Sequence, residues 1–338
     1  SERGRLENCV ISVIVPVYNE EEVLPEFHKR LSAVFENLNY ELEIVYVNDG
    51  SDDGTLEVVN RLRTNDPRIA IVDLSRNFGK EIAMAAGFDN ACGEAIVVID
   101  ADLQDPPELI PGMIHHWQGG YDVVYAKRTA REGETWLKKA SAAAFYRLIQ
   151  RVSRVQIPPD TGDYRLMSRR AVDALNRLRE QHRFTKGLLA WIGFSQKALP
   201  YKRDPRFAGV TKWNYWKLWN FALEGITSFT IVPLKVATYL GLFASVVAFL
   251  YAAFIASKTI LYGDPVPGYP TLIVVVLFLG GAQLAALGII GEYLGRMFDE
   301  TKQRPLYLLK GLEPSLVAKD IKRDEHPTVF MDSDRVAS

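Results

Sequence analysis

Asp100 and Asp102 flank a single residue in the run Asp100-Ala101-Asp102-Leu103-Gln104-Asp105, directly after an apolar stretch that ends at Ile99. If the backbone turns there, both carboxylates face one cation. Hard carboxylate oxygens suit Mg²⁺ or Mn²⁺, and such an ion bridges phosphate oxygens. Alone, an Asp-x-Asp pair reads as a solvated turn ahead of a helix begun by Pro106-Pro107. Its setting decides otherwise. Far downstream come two apolar stretches, Val232 to Ser257 and Thr271 to Gly291. The pairing points to a soluble-type catalytic domain that works on something held in a membrane.

An alternation of strand-like and helix-like segments must carry these acids. Val10 to Val15 is a β-branched run suited to a strand buried on both faces. Glu21 to Phe35 places Val23, Leu24, Phe27, Leu31, Val34 and Phe35 at helical spacing. Glu43 to Val47 predicts a second strand, Asp49 to Gly54 a turn, and Thr55 to Arg63 a helix. Ile69 to Leu74 and Lys80 to Ala91 repeat the pattern, Ala95 to Asp100 predicts a fourth strand, and Asp122 to Ala126 a fifth. This order predicts an α/β domain with a mostly parallel sheet. Ligands then sit beyond the carboxyl ends of the strands, where Tyr18, Asn19, Asp49, Asn77, Asp100 and Asp102 fall.

The later segments read as membrane-facing. Thr135 to Val155 carries one apolar stripe beside Lys138, Lys139, Arg147, Arg151 and Arg154. That pattern fits a helix lying on an anionic bilayer, and equally a helix packed on the domain with solvated charges. Lys212 to Phe229 crowds Trp213, Tyr215, Trp216, Trp219 and Phe221 beside lysines, as at a headgroup layer. Both apolar stretches meet the roughly 20 residues a crossing helix needs. The linker Lys258 to Pro270 has a single lysine and no arginine, whereas Arg296, Lys302, Arg304 and Lys310 follow the second stretch. The expectation is a two-helix transmembrane hairpin with both termini cytoplasmic. The predicted divisions are a catalytic domain (1–211), an interfacial helix (212–231), the hairpin (232–295) and a cytoplasmic tail (296–338).

Composition removes other classes. A formal net charge of -1 offers no basic excess for nucleic acid. Cys9 and Cys92 are too few for a disulfide framework and lack metal-ligand spacing. Ser1 to Asn8 is polar and Pro16 interrupts Val10 to Val17, so no signal peptide is expected. The histidines form no metal-spaced set.

Four motifs occur in order: Val15-Pro16-Val17-Tyr18-Asn19-Glu20, Val47-Asn48-Asp49-Gly50-Ser51-Asp52-Asp53, Leu74-Ser75-Arg76-Asn77-Phe78-Gly79-Lys80, and the acidic run through Pro106-Pro107. Gly162-Asp163-Tyr164-Arg165-Leu166-Met167 and Gly291-Glu292-Tyr293-Leu294-Gly295-Arg296 extend the series. The chain resembles the inverting family 2 glycosyltransferases of GT-A fold, and within them the bacterial polyprenyl-phosphate glycosyltransferases. The resemblance runs from about Val10 to Tyr307. It implies that Pro16, Tyr18 and Glu20 border a nucleotide, that Asp49 faces the base, and that Lys80 lies near the phosphates. It implies a metal and diphosphate site at Asp100, Asp102 and Gln104. Asn48 departs from the aspartate many relatives carry there, while Asp49 keeps an acceptor for the base.

The acceptor implied is a lipid phosphate, whose second pKa of about 6 leaves it largely deprotonated. A cationic cradle then matters more than a strong base. Arg128, Lys138, Arg165, Arg203, Arg206 and Lys212 are the candidates, with Asp163 and Asp102 as catalytic carboxylates. Asp163 would orient the acceptor rather than abstract a proton, or else would anchor Arg165. The expected reaction moves one hexose, glucose from UDP-glucose in the first instance, onto undecaprenyl phosphate at the inner membrane of a bacterium. GDP-mannose or a UDP-aminosugar is an alternative donor. A processive synthase is disfavoured because Gln181-His182-Arg183-Phe184 is no Gln-x-x-Arg-Trp motif. A non-catalytic nucleotide-binding scaffold would not need both the acidic cluster and the Gly-Asp-Tyr-Arg motif. The glycines of the second stretch would admit a homo-oligomer.

Overall fold

Val10–Val17 forms β1, and every residue but Pro16 is buried. The β-branched run has helices and loops on both faces. The computed structural model describes residues 9–36, 38–129, 161–181, 183–201, 232–262 and 268–320. In chain order β1 is followed by α1 (Leu24–Phe35), β2 (Glu41–Asn48), α2 (Thr55–Asn65), β3 (Ile69–Leu74), α3 (Lys80–Asn90) and β4 (Ala95–Val98). A 3₁₀ turn (Pro107–Leu109) leads into α4 (Ile110–Gln118), then β5 (Val123–Arg128), β6 (Thr161–Ser168), α5 (Arg169–Asn176), α6 (Thr185–Trp191) and β7 (Gln196–Tyr201). Two long helices, α7 (Val232–Tyr262) and α8 (Tyr269–Thr301), precede β8 (Leu309–Glu313) and α9 (Leu316–Asp320).

The strands make an eight-stranded sheet in the order β7-β5-β6-β4-β1-β2-β3-β8. β1 runs parallel to β2 and β4, β2 to β3, and β5 to β7. β6 is antiparallel to both β4 and β5, and β8 to β3. The expected mostly parallel α/β sheet is borne out. β4 is shorter than expected: its ladder ends at Val98, although the Ile99 amide still donates to the Ile14 carbonyl at 3.1 Å, and the turn begins at Ala101.

Packing fixes the helices. α1 buries Leu24, Phe27, Leu31 and Phe35 at intervals of three and four residues, the apolar stripe of an amphipathic helix. α3 is rich in small residues and lies close on β1. A Cβ at Gly87 would come within 2.3 Å of Ile14 Cγ2, so only glycine permits that approach. α3 is thereby held with its first residue, Lys80, at the carboxyl edge of the sheet.

The segment read as a cytoplasmic tail contains the strand that seals this sheet. β8 pairs with β3, and Arg63 Nη1 donates to the Glu313 carbonyl at 2.9 Å. Ser315 Oγ donates to the buried carboxylate of Glu43 at 2.9 Å. Glu43 also accepts from Ser12 Oγ at 2.5 Å and from the Cys92 amide at 2.8 Å.

β1–β8 and their helices form one compact unit, and α7 with α8 a second. The expected spans fall inside α7 and α8, which pack on each other. Phe278–Thr301 is long and apolar enough to cross a membrane by length and composition. Leu242, Phe243, Leu250 and Phe254 on α7, and Leu272, Leu284, Leu287 and Leu294 on α8, are exposed. Glu292 and Arg296 form the expected i,i+4 pair at 3.1 Å. The helix expected over Thr135 to Val155 and the aromatic segment Lys212 to Phe229 lie outside the described residues.

Candidate active site

The antiparallel register of β4 and β6 brings the chemistry together. Val98 pairs with Arg165 at the end of β4, and continuing that register two residues along each chain brings Asp100 toward Asp163. Lys80 enters between them from the start of α3. Its Nζ lies 2.7 Å from Asp100 Oδ1 and 2.6 Å from Asp163 Oδ2. Lys186, in the first turn of α6, places its Nζ 3.6 Å from Asp163 Oδ1. Each oxygen of Asp163 thus faces an ammonium. Burial alone would raise the Asp163 pKa, but Lys80, Lys186 and Arg165 reverse the sign and hold it well below the usual carboxylate range. Burial works against the Lys80 ammonium, yet Asp100 and Asp163 more than compensate and raise its pKa.

The turn after β4 is tight. Asp102 is buried and accepts from the Gln104 amide at 3.1 Å, with Leu103 between them at a left-handed φ of 58°. Tyr201 donates its hydroxyl to Asp105, also buried, and Arg128 Nε donates to the Tyr201 oxygen at 3.4 Å. Burial and the Asp105 carboxylate push the Tyr201 phenol up to about 12. Among the described residues no group of three or more His, Cys, Asp or Glu side chains is arranged to hold a metal. The pocket is nonetheless built around positive charge, since the Lys80 ammonium bridges its two acids.

Hydrogen bonds between side chains and backbone amides join the other edge. Asp49 is buried, and its two oxygens accept from the amides of Phe78 at 2.7 Å and Gly79 at 3.0 Å. Burial raises its pKa, opposed by those amides and by Arg76. Asn48 donates to Asp73 at 2.7 Å and accepts from the Ser51 amide at 3.2 Å. The Asn19 amide donates to Ser51 Oγ at 3.1 Å, and Asn19 Oδ1 accepts from the Asp52 amide at 2.9 Å. Gly50 has φ 63°, and a Cβ there would stand 2.4 Å from the Arg76 carbonyl carbon. Glu20 is tied to α2 through its amide and Thr55 Oγ1 at 2.9 Å, while Tyr18 stays exposed beside half-buried Pro16.

Of the residues expected at the transfer site, Lys80, Asp100 and Asp163 meet directly, and Asp102 lies in the adjoining turn. Arg165 does not join them as a free cation. It is buried, and its guanidinium donates to the carbonyls of Gly162 at 2.7 Å and Asp163 at 3.2 Å. Lys138, Arg203, Arg206 and Lys212 lie outside the described residues. Lys186 went unnoticed in the sequence. The signal was a lone charge among apolar neighbours in Phe184-Thr185-Lys186-Gly187-Leu188-Leu189.

Residues 12–175 match the family described as Glycosyl transferase family 2, and residues 232–297 match the GtrB C-terminal hairpin. The chain is 54% identical over 302 residues to an uncharacterized glycosyltransferase of Synechocystis sp., covering 89% of this chain and 95% of that one. It belongs to glycosyl transferase family 2. This family 2 glycosyltransferase is also 49% identical over 300 residues to a bactoprenol glucosyl transferase of Shigella phage SfX, covering 89% of this chain and 98% of that one. Among solved structures, glucosyl-3-phosphoglycerate synthase from Mycobacterium tuberculosis superposes with a TM-score of 0.44 at 18% identity, covering 65% of this chain and 78% of that one. The resemblance expected from the motifs is borne out, GT-A fold included.

Proposed function

We propose that the enzyme transfers a single hexose from a nucleotide diphosphate sugar to a polyprenyl phosphate. UDP-glucose is the donor and undecaprenyl phosphate the acceptor in this reading, and the anomeric centre inverts. The observation that carries it is the cleft where Lys80 bridges Asp100 and Asp163, with Lys186 behind. Such a cleft handles phosphate groups on both sides of a sugar. The bactoprenol glucosyl transferases among the relatives support the acceptor and the sugar.

The donor chemistry fits a divalent cation. Asp100 and Asp102 offer hard oxygens, and Mg²⁺ or Mn²⁺ is commonly held by one or two carboxylates plus substrate phosphates. When bound it would stabilise the departing diphosphate as a Lewis acid. The remaining work falls to the chain. Pro16, Tyr18 and Glu20 line the nucleotide. Asp49, with both oxygens engaged but with lone pairs remaining, accepts from the base. Lys80 turns from Asp100 toward the donor phosphates as these arrive. Asp163, flanked by two ammoniums, is a poor base, and the acceptor needs none. It orients the lysines so that nucleophile and anomeric carbon meet in line. Arg128, Lys138, Arg203, Arg206 and Lys212 complete the phosphate cradle, while Arg165 holds the Gly162 and Asp163 carbonyls and so supports the position of Asp163.

We place the reaction at the cytoplasmic face of a bacterial inner membrane. β7 and β8 are strands of one sheet, and α7 and α8 lie between them in the chain. The intervening chain therefore crosses a bilayer an even number of times, which supports a hairpin. Gly280, Gly281, Gly288, Gly291 and Gly295 have open space where a Cβ would stand, which suits packing against a second copy.

The test is transfer of radiolabelled sugar from UDP-glucose, GDP-mannose and UDP-N-acetylglucosamine to undecaprenyl phosphate in detergent, with Mg²⁺ or Mn²⁺. Label should enter lipid from UDP-glucose and be lost in Asp102→Asn. No label from any donor, with UDP binding intact, would reject the reading in favour of a non-catalytic nucleotide-binding scaffold.

A further inference from the structure

Lys186 is mostly buried, with its side chain 22% exposed; its ion-pair partner is Asp163 Oδ1 at 3.6 Å, and the Glu81 carboxylate is a second negative charge that it feels. That distance is an ion pair rather than a hydrogen bond. An ammonium carries three donors, and a buried one requires acceptors. Its backbone is not free to swing away. The preceding amide, that of Thr185, donates to Glu81 Oε2 at 3.1 Å, and Glu81 adjoins Lys80 in α3. The dipeptides Lys80-Glu81 and Thr185-Lys186 are thereby fastened together, with a lysine on either side of Asp163. Lys80 sits on the Oδ2 side, shared with Asp100, whereas Lys186 sits on the Oδ1 side.

We infer that Lys186 is a ligand for the phosphate oxygens of the acceptor, held ready by Asp163 and handed to the incoming phosphate monoester. The inference rests on the transferase reading above. The side it occupies gives the assignment: Asp100 and Lys80 take the donor diphosphate, and the opposite oxygen of Asp163 faces the group that attacks. A phosphate monoester dianion offers the Lys186 ammonium acceptors at hydrogen-bond distance, closer than its 3.6 Å ion pair with Asp163. Lys80 and Lys186 then bracket the transferred sugar from its two phosphate-bearing sides.

The experiment uses the full chain in detergent, with Lys186→Met and Lys186→Arg beside wild type. KM is measured for undecaprenyl phosphate and for UDP-glucose, and calorimetry measures geranyl phosphate binding to UDP-loaded protein. Loss of one charge-assisted contact should raise the acceptor KM and the geranyl phosphate Kd about tenfold or more in Lys186→Met. The donor KM should stay within about twofold, and Lys186→Arg should recover most of the loss. A rise in donor KM or UDP Kd instead would assign the ammonium to the diphosphate and overturn the inference. So would unchanged constants for both substrates in a variant of wild-type Tm, because Lys186 would then merely neutralise Asp163. If wild type binds geranyl phosphate and loses it in Lys186→Met but transfers no sugar, the site stands and the donor assignment falls.

Discussion

The two edges of the cleft are assembled by different means. On the side proposed for the nucleotide, the loops after β1, β2 and β3 are joined by hydrogen bonds between short side chains and backbone amides: Asp49 to two amides, Asn48 to Ser51, Asn19 to Ser51 and Asp52. On the transfer side, β4, β6, α3 and α6 meet through ion pairs among Lys80, Lys186, Asp100 and Asp163. Short side chains bonded to backbone amides hold the loop shape. Ion pairs exchange partners when a new charge enters. In the proposed reaction the first edge receives the part of the donor that does not change, and the second the charges that come and go.

The largest effect should come from the exchanging edge. Asp102→Asn should lower transfer by about a hundredfold or more, on the scale of losing a group that stabilises a leaving charge. UDP affinity measured without divalent cation should hardly change. A comparable fall in that affinity would show that the two edges are not separable.

Gly50→Ala attacks the fixed edge. The new Cβ meets the Arg76 backbone and the residue must keep a positive φ, so about 2 kcal/mol of stability should be lost in urea unfolding. UDP binding should weaken while the remaining turnover keeps its cation dependence. Ser315→Ala removes one of the groups that satisfy buried Glu43 and should cost about 1 kcal/mol, with the acceptor KM unaltered.

The smallest effect is in pH. Asp163 has a depressed folded-state pKa, so its contribution is complete above the unfolded value of about 4 and disappears as pH falls through the folded value. Asp163→Asn should therefore melt below wild type at pH 7, and the gap in Tm should narrow as pH drops below about 4. A gap that widens with acid would mean that the ion pairs contribute nothing to folding.

The same contrast governs what could be read in the sequence. β1 and β3 are mostly β-branched and apolar, broken only by Ser12 and Asp73, and their residues announce buried strands. The expected helices from Glu21 to Ala91 fall within a few residues of those observed. β6, β7 and β8 escaped notice. Thr161–Ser168 carries Asp163 and Arg165 among its apolar residues, Gln196–Tyr201 contains a proline, and Leu309–Glu313 is short and charged. β7 and β8 are the two edge strands and lack the apolar signal that burial imposes, whereas β6 is an interior strand whose apolar run is broken by Asp163 and the buried Arg165. The acidic cluster was legible because its spacing is local. The approach of Lys80 and Lys186 to Asp163 was not, because it spans residues from three elements far apart in the chain. Arg165 shows the converse: the motif marked the position, but residue type does not tell whether a guanidinium points to solvent or to its own backbone.

β8 has a consequence for how the protein is made. Chains emerge from the ribosome N-terminus first, and domains fold as they appear. Here β3 must wait as an unpaired edge, open to association with other chains, while everything from Tyr201 to Leu309 is synthesised. The last strand emerges only after both long apolar helices have been synthesised, so the sheet is completed last, whatever surroundings those helices find.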